Sequence, residues 1–574
     1  MHYAVKRLLR GFPPMSPSRP HDNQVPDLCG YNLYASDPVL RDAVRRAGAS
    51  DFDPTLRRIG ATLGAADILA LGDRANRHPP TLQVFDRLGE RIDTVTFDPS
   101  WHTLLTLLRG EGLHALPWTD PRPGVWAARA AGYFLQGQVE SGTLCPATMT
   151  FAAIPVLQQD PGLFSRLGPL LLSREHDPRD LPWEQKYAAL IGMGLTEKQG
   201  GSDVRSNRSW AVPSTAGGRS GAWRLNGHKW FFSAPMCDAH LVVAREDNPR
   251  DGPLSCFFVP RWRPDGSRNA VHIQRLKDKL GNRSNASSEV EFHDAWAMPV
   301  GEAGRGIPIL LEMATHTRLD CVIGSAALIR RALVEVLHHT RHRSAFGRPL
   351  REQPLMRNVL IDMALESEAA TRLMIRLAAA FEQAAAPEPD PLARAYRRIV
   401  TPAAKFWICK RAIELTGEAM EIWGGNGYVE DAPLARLYRE APVNSIWEGS
   451  GNVMCLDVLR ALQRDPDGAA LLLADWSAAF RDDSLLSGCL HTLQALLAQP
   501  ADVQEAHARR LAQGIILLEQ ARLLREHAPA DVSGLFIASR LGDGGLLAHG
   551  RVCGTLALDG LAAGDTRMLD RHWA

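Results

Sequence analysis

The chain has 574 residues, which is enough for about three or four domains that each bury a hydrophobic core. It carries 65 lysines and arginines against 64 aspartates and glutamates, so its overall charge does not favour a polyanionic partner. No stretch approaches about eighteen consecutive apolar residues, and the sequence therefore predicts no membrane-spanning helix.

The nine cysteines are scattered and form no CxxC pair or zinc-type spacing. This usage indicates reduced thiols, mostly in cores, and no metal site, in a cytoplasmic protein. Residues 1–22 carry several basic residues and prolines, and we expect them to form a flexible N-terminal extension.

Residues 23–187 are expected to form an N-terminal helical domain. Apolar residues recur there mainly at helical spacing, for example from Ala127 to Val139. No constellation of catalytic side chains stands out in this part of the sequence, so we expect its role to be packing.

A glycine-rich loop, Met193–Asp203, begins a different region. It offers two hydroxyl groups, free backbone N–H groups and glycines that allow a phosphate to approach closely. The loop does not have the dinucleotide-binding spacing GxGxxG, and alone it is weak evidence for a nucleotide site.

A β domain is predicted for residues 188–300. Within it, Trp223–Leu225 and Lys229–Ser233 alternate as strands, and Asn226-Gly227 between them predicts a hairpin turn. Helical periodicity returns in residues 301–460, which we expect to form a helical bundle. Residues 461–574, rich in Leu and Ala, predict an additional all-α domain, which we call the appendix.

The stretch Ala441–Leu456, APVNSIWEGSGNVMCL, places Glu448 between an aromatic residue and a run of small residues. Ser450 is a candidate N-cap for a helix that buries Val453, Leu456 and Leu459. A carboxylate beside an aromatic ring in a water-poor pocket is a candidate general base. The alternative is a surface loop with an ordinary acidic residue.

Several motifs occur in one order along the chain, and together they resemble the acyl-CoA dehydrogenase family. They are the Thr196–Asp203 loop, Phe231–Ser233, an Arg-x-x-Phe-Gly at Arg343, the glycines after Trp423, and Trp447-Glu448-Gly449. The resemblance implies an α+β fold with an N-terminal helical domain, a middle β-barrel domain and a C-terminal helical bundle, here followed by the appendix.

The resemblance also implies FAD as cofactor and an acyl-CoA or related substrate, with Glu448 as the catalytic base and Arg318 as a second catalytic residue. The positions that match cofactor-binding positions of the family are Met193, Gly194, Leu195, Thr196, Gly201, Ser202, Phe231, Phe232, Ser233, Arg343, Phe346, Gln353, Gly424, Gly425, Ile446, Trp447, Gly449, Ser450 and Asn452. Many family members have Trp where Phe231 stands, so the cover of the flavin edge differs here.

Phrases such as GMGLTEKQGGSDV, KDKLGNRSNAS and PVNSIWEGSGNVMCLDVLR are similar to the alkylation-response branch of this family. That resemblance implies an FAD-binding homotetramer that protects DNA during alkylation stress, binds double-stranded DNA without sequence specificity and keeps weak acyl-CoA dehydrogenase activity. Three hypotheses therefore remain: a true dehydrogenase, a DNA-protecting flavoprotein, and a flavoprotein with a vestigial site. We favour the second, with residual activity of the first kind.

The charge of the appendix bears on the DNA hypothesis. After Arg460 the chain has 10 arginines, no lysine and 14 acidic residues, a net charge of −4. Non-specific DNA binding depends instead on basic residues, because they release counterions from the phosphates. The candidates for a local DNA-binding face are Arg509, Arg510, Arg522 and Arg525, and the alternative is a solvated helix with ordinary charges.

Overall fold

A computed structural model describes residues 23–214, 221–542, 552–558 and 566–572. The predicted extension, residues 1–22, lies outside the described residues. Among the described residues, no helix combines the length and apolar character needed to cross a lipid bilayer.

The first part of the chain is mainly helical and contains one β hairpin. Its helices are α1 (Pro38–Arg46), α2 (Asp53–Leu63), α3 (Ala66–Arg77), α4 (Pro99–Gly110), α5 (Leu116–Thr119), α6 (Val125–Gly137), α7 (Leu144–Leu157) and α8 (Pro161–Leu172). The hairpin of β1 (Thr81–Phe85) and β2 (Arg91–Thr96) was not predicted from the sequence. It reaches the middle domain, where Arg91 Nη2 donates to the Ile273 carbonyl at 2.8 Å.

An Asp-Pro pair starts several helices and shows how the sequence sets their boundaries. Asp37, Asp98 and Asp160 are the N-caps of α1, α4 and α8, and each carboxylate accepts a backbone N–H of the first turn. The proline that follows takes the first helical position, where its missing N–H costs nothing. Asp390 and Asp465 cap later helices in the same way.

The middle domain is a closed β structure, as predicted. Its strands are β3 (Ile191–Gly194), β4 (Trp210–Pro213), β5 (Trp223–Ser233), β6 (Ala239–Glu246), β7 (Leu254–Pro260), β8 (Val271–Leu276) and β9 (Ser287–Val300). Strand pairing runs β6-β4-β5-β9-β7 and returns from β7 to β6, which closes a barrel. Strand β3 pairs with β6, and β8 pairs with β9.

The predicted hairpin turn at Asn226-Gly227 was wrong, because β5 runs straight through these residues. Gly227 has a φ of +127° and forms a bulge, since the register against β9 shifts there. A Cβ at Gly227 would come within 2.6 Å of Ser209 Oγ, which explains the glycine. The Asn226 side chain exchanges two hydrogen bonds with Asp294 of β9, so the bulge stays paired instead of turning.

Three long helices form the C-terminal bundle. They are α9 (Gly306–His342), α10 (Pro354–Ala384) and α11 (Pro391–Ile422), with the short strands β10 (Ser344–Ala345) and β11 (Arg348–Pro349) after α9. Helices α12 (Gly425–Tyr428), α13 (Pro433–Asn444) and α14 (Gly451–Arg464) follow. The buried face of α14 carries Met454, Cys455, Val458 and Leu459, so only Leu459 of the three predicted residues lies on it.

The described residues of the appendix form helices and no strands, as predicted. The appendix contains α15 (Pro466–Ala479), α16 (Ser484–Leu497), α17 (Ala501–Ala506), α18 (Ala508–His527), α19 (Ala530–Leu541) and α20 (Arg567–Asp570). Helix α18 shares one hydrophobic core with the bundle. Buried Glu519 of α18 accepts hydrogen bonds from Tyr396 Oη of α11 at 2.9 Å and Trp476 Nε1 of α15 at 2.8 Å. These bonds tie the appendix to the bundle.

Candidate functional site

Glu448 lies in the short turn between α13 and α14, in a backbone conformation that non-glycine residues rarely adopt. Its φ is +58°, and Gly449 follows with a φ of +107°. A left-handed non-glycine residue costs about 1–3 kcal/mol and persists only where its surroundings hold it. The φ of Gly449 favours glycine at this position, and a Cβ there would also come within 2.4 Å of Met454 Cε.

Two cations hold the backbone of this turn. The buried Lys405 Nζ of α11 donates to the carbonyl oxygens of Trp447 and Gly449 at 2.6 Å each. Arg318 Nε of α9 donates to the carbonyl oxygen of Glu448 at 3.0 Å, and its Nη1 pairs with Asp457 at 2.9 Å. Three consecutive carbonyl groups are thereby fixed, and this supports the strained conformation.

The Glu448 carboxylate is half-buried and is oriented by α9. Thr317 Oγ1 donates to Glu448 Oε2 at 2.7 Å. The Trp447 indole lies beside it and donates from Nε1 to Asn444 Oδ1 at 3.1 Å. The structure therefore brings together Glu448, Arg318 and Trp447, all of which the sequence singled out.

The glycine-rich loop after β3 is held by a buried ion pair. Lys229 Nζ of β5 lies 2.8 Å from Glu197 Oε1, and both side chains are fully buried. Burial raises the pKa of the Glu197 carboxyl group, but the Lys229 ammonium beside it outweighs burial and lowers this pKa to about 2. Met193 and Gly194 end β3, Leu195 and Thr196 follow half-buried, and Gly201 and Ser202 are exposed at the tip. The loop thus presents its hydroxyl groups from a fixed base.

The three residues of the second predicted cofactor segment, at the end of β5, face different surroundings. Phe231 is 55% exposed, whereas the Phe232 side chain lies in the barrel core and stacks on His240 with ring centroids 3.9 Å apart. Only backbone atoms of Phe232 are available to a ligand outside the core. Ser233 is half-buried, and its carbonyl oxygen lies 3.3 Å from His240 Nε2.

Residues around the end of α9 form an outward-facing group. Arg343 is the C-cap of α9, and its Nη1 donates to the Asn23 carbonyl. Phe346 is 98% exposed with a φ of +52°, and Gln353 Nε2 donates to the Ala345 carbonyl at 2.9 Å. These contacts fix the conformation of the loop, and the Phe346 ring remains exposed to solvent in the single chain.

The remaining predicted cofactor residues lie near the ends of α11, α13 and α14. A Cβ at Gly424 or Gly425 would meet no heavy atom within 4 Å, so open space lies beside both. Ile446 is 64% exposed. Ser450 is the N-cap of α14 but makes no side-chain capping bond, and Asn452 Oδ1 accepts from Arg509 Nε at 2.8 Å.

The four candidate DNA-binding arginines lie on α18 in different surroundings: the Nε of Arg510 is buried without a hydrogen-bond partner among the described residues, whereas the other three have partners. Arg522 is engaged by Glu519, Asp475 and Glu526 and is largely buried. Arg509 binds Asn452, and Arg525 Nη1 lies 3.6 Å from Asp483 Oδ2. The α18 helix therefore does not present four free guanidinium groups on one face.

Sequence reasoning missed Lys405, Thr317 and the Glu197–Lys229 pair. One signal could have found Lys405, because it is a lone lysine in the apolar run Thr401–Ile408 of a helix. A buried lysine needs partners, and an apolar helix face supplies none locally. In the sequence, Thr317 is distinguished only by its position next to Arg318.

The comparisons with known proteins agree with this geometry. Residues 23–178 match the family model "Adaptive response protein AidB N-terminal domain", residues 192–295 match "Acyl-CoA dehydrogenase, middle domain", and residues 304–463 match "Acyl-CoA dehydrogenase, C-terminal domain". The chain is 49% identical over 482 residues to the AidB protein of Escherichia coli (strain K12), covering 84% of this chain and 87% of that protein. The chain belongs to the acyl-CoA dehydrogenase family.

A curated relative and a solved structure come from Caenorhabditis elegans. Acyl-CoA dehydrogenase family member 11 is 29% identical over 446 residues, covering 75% of this chain and 70% of that protein. The crystal structure of ACDH-11 in complex with C11-CoA superposes with a TM-score of 0.83, with 26% identity and coverage of 94% of this chain and 95% of that chain. Family membership makes the chain an FAD-dependent oxidoreductase that acts on CH–CH groups.

The residues present fit this cofactor. Thr196 and Ser202 offer hydroxyl groups from a loop that the Glu197–Lys229 pair anchors. Open space beside Gly424 and Gly425 allows a ligand to approach the backbone closely. Hydroxyl donors and bare backbone are the groups that proteins use for phosphates and for polar ring edges.

Proposed function

We propose that the chain dehydrogenates an acyl-CoA thioester, with Glu448 as the base that removes a proton from the carbon next to the thioester carbonyl. One observation carries this proposal: the Glu448 carboxylate is held by Thr317 while Lys405 and Arg318 fix three successive carbonyl groups around it. A positioned carboxylate of this kind contributes about 10²–10⁴-fold to a proton abstraction.

The residues around Glu448 have separate tasks in this proposal. The Thr317 hydroxyl orients Oε2, and the turn keeps the carboxylate half-buried, which limits the access of water. Arg318 positions the base through its backbone and is itself held by Asp457. Bound FAD, held by the positions assigned below, would supply the hydride acceptor for the next carbon of the acyl chain.

We assign the FAD site to the nineteen positions that resemble cofactor-binding positions of the family, grouped in four places. They are the loop after β3, the end of β5, the Arg343–Gln353 region, and the segment from Gly424 to Asn452. Phe232 takes part through its backbone, because its side chain is committed to the barrel core. Phe231 covers an edge of the ring system, since its side chain is largely exposed.

The third and fourth of these groups support assembly into a homotetramer. Phe346 is 98% exposed and Tyr428 is 78% exposed, and both flank predicted cofactor residues. Exposed aromatic side chains on that scale mark interaction surfaces. In this proposal Arg343, Gly424 and Gly425 complete the FAD site of a neighbouring subunit, so that cofactor binding and assembly depend on one another.

A second function is proposed from the similarity to AidB, namely protection of DNA against alkylating agents by a cytoplasmic flavoprotein with weak dehydrogenase activity. The match to the adaptive response N-terminal domain supports it. Binding to duplex DNA would be weak and independent of sequence, through phosphates and arginines such as Arg509 and Arg510. All nine cysteines are free thiols, which fits a reducing compartment.

The deciding experiment records the absorbance spectrum of the purified holoprotein, without oxygen, during addition of a panel of acyl-CoA thioesters. Bleaching of the oxidised flavin by at least one thioester is expected. A yellow protein that no thioester bleaches would contradict dehydrogenation and leave DNA association as the surviving proposal. Gel shifts with unrelated duplexes test that second function separately.

A further inference from the structure

Residues 566–572 of the appendix, which we call the 566–572 segment, are docked on the bundle. Met568 and Leu569 are 7% and 1% exposed and belong to the core that the appendix shares with the bundle. Arg571 donates from Nε and Nη2 to the two carboxylate oxygens of buried Glu368 on α10, at 3.0 and 2.7 Å. Because apolar burial and a bidentate ion pair act together, this segment has a defined position on α10.

Within this segment, the Asp570 carboxylate bridges two arginines of the bundle. Arg351 Nη2 donates to Asp570 Oδ1 at 2.9 Å, and Arg341 Nη2 lies 3.5 Å from the same oxygen. The other oxygen, Oδ2, accepts from Thr566 Oγ1 at 2.6 Å, which orients the carboxylate within the segment. The 566–572 segment therefore contacts the bundle at a second place, through one carboxylate oxygen.

These two arginines flank the hairpin of β10 and β11. Arg341 lies in the last turn of α9, and Arg351 lies in the 3₁₀ turn Leu350–Glu352 that follows β11. We call residues 343–350 the arginine hairpin, because it begins with Arg343. The Leu350 N–H donates to the Arg343 carbonyl at 2.8 Å and closes the base of this hairpin. Asp570 thus binds the chain on both sides of the base.

Arg341 and Arg351 repel one another, and Asp570 compensates for this repulsion. Burial and the charge of Arg351 lower the pKa of the Arg341 guanidinium, whereas Asp570 acts in the opposite direction. Two neighbouring positive charges are unfavourable unless an anion lies close to both. Loss of the Asp570 charge would accordingly allow the two sides of the hairpin base to move apart.

The arginine hairpin has little buried surface of its own. Two residue pairs join β10 to β11, and Asn23 exchanges two hydrogen bonds with the backbone of Ser344. The Phe346 ring between the two strands is 98% exposed. A segment with few buried contacts opens easily, so its average position depends on the residues that hold its base.

We propose that Asp570 is a positioning residue for the arginine hairpin, and that the appendix thereby controls how firmly a neighbouring subunit holds FAD. The inference rests on the proposed role of Arg343 in completing the FAD site of that neighbour. Asp570 acts through Arg341 and Arg351, which bind it. A guanidinium group that is held in place before FAD binds loses less conformational entropy on binding, so the complex is tighter.

The test measures FAD retention and hairpin mobility in Asp570→Asn, which keeps the size of the side chain and removes its charge. The Asp570 side chain is 50% exposed, so this variant should fold. The fluorescence of FAD released on dilution of the holoprotein is expected to give a Kd about 2–10-fold higher, the scale of two partly exposed ion pairs. Hydrogen exchange in residues 343–350 should be faster, whereas exchange in the middle of α10, residues 364–375, should stay the same.

Three further variants separate a positioning role from general destabilisation. Asp570→Glu retains the carboxylate and should restore both measurements to near the wild-type values. In an Arg351→Gln background, Asp570→Asn should have a smaller effect, because one of its partners is already lost. Asp502→Asn, at an exposed position of α17 in the same appendix, should change neither measurement.

The outcomes distinguish this inference from the proposed FAD site. Unchanged hydrogen exchange in residues 343–350 of Asp570→Asn overturns the inference, and so does an Asp570→Glu variant that behaves like Asp570→Asn. Faster exchange with unchanged FAD retention also overturns it, while a loss of FAD in Arg343→Ala would keep the shared site. If Arg343→Ala does not weaken FAD retention either, the shared site is wrong, and the inference fails with it.

Discussion

The hydroxyl of Thr317 donates a 2.7 Å hydrogen bond to Oε2 of Glu448, and the next residue, Arg318, binds the backbone carbonyl of the same glutamate at 3.0 Å. Two consecutive residues of α9 thus hold both the side chain and the main chain of Glu448. This double attachment fixes the carboxylate relative to the bundle, so the direction in which it acts is set before a substrate arrives.

Replacing Glu448 by Gln should slow substrate reduction of the flavin by about 10²–10⁴-fold, because the amide keeps the shape and removes the basicity. FAD content should stay unchanged. Anaerobic stopped-flow absorbance measures the rate, and Glu505→Gln, at an exposed position, is the control. A rate in Glu448→Gln equal to that of the wild type would assign the base elsewhere.

Replacing Lys405 by Met should destabilise the fold, since it leaves the Trp447 and Gly449 carbonyls without their buried donor. We expect a loss of at least about 2 kcal/mol in the free energy of unfolding, at about 1–3 kcal/mol for each unpaired group. Urea denaturation measures it. Lys410→Met, one turn further along α11, should change stability much less, and equal losses in the two variants would disprove the anchoring role.

Glu440 should make folding stability depend on pH. Burial raises its pKa from 4.5 to about 7, with Arg436 opposing the shift and Glu140 adding to it. A carboxyl group with a raised folded-state pKa stabilises the fold fully below its unfolded pKa, and this stabilisation is lost as pH rises towards 7.

Glu440→Gln removes this titration. The variant should therefore gain stability relative to the wild type between pH 4.5 and pH 7.5, by about 3 kcal/mol. The hydrogen bond that glutamine cannot make, to Asn76 or to the Asn282 N–H, adds an offset that does not depend on pH. Urea denaturation at several pH values would refute the prediction if the two stability curves ran parallel.

Arg343→Ala should weaken the retention of FAD and shift the tetramer towards smaller species. The physical reason is that a guanidinium group pairs with two phosphate oxygens at once, and alanine offers none. Gel filtration with absorbance at the flavin wavelength follows both properties. Arg394→Ala, at an exposed position of α11, should leave both unchanged. A monomer that keeps its full FAD content would rule out the shared site.

DNA binding, if it uses phosphates, should fall with salt at a slope of about −0.9 per phosphate contacted, alike for unrelated duplexes. Arg509→Ala/Arg510→Ala should reduce this slope. The double variant Arg464→Ala/Arg481→Ala changes the net charge equally at exposed positions and should have a smaller effect. Gel-shift assays at two salt concentrations measure this slope. The absence of a shift at low salt would exclude DNA binding.

The sequence alone was sufficient to single out the turn that we propose to be catalytic, because Trp447, Glu448 and Gly449 are neighbours and their order is informative. It was also sufficient to predict the helical, β and helical-bundle parts of the fold and the all-α appendix. It marks Lys405 as a lone lysine in an apolar run, but it could not identify the partners of Lys405, because they flank Glu448, 43 positions further along the chain, and meet Lys405 only through packing.

The Asn226-Gly227 error has a similar cause. The pair is the commonest signal for a tight hairpin, yet its outcome depends on what lies on each side. Here β4 and β9 pair with β5 on both edges, and Asp294 binds the Asn226 amide, so the chain continues instead of reversing. The deciding residues are distant in sequence, and local patterns do not contain them.

The shared core of α18 and the bundle means that the appendix is not a detachable module. Its buried Glu519 depends on Tyr396 and Trp476, and Tyr396 would in turn lose its partner without it. A gene shortened after α14 would therefore expose the back of α11 and produce an aggregating protein instead of a compact, minimal enzyme. Because the two parts share one core, loss of the appendix would not be a neutral change for the bundle.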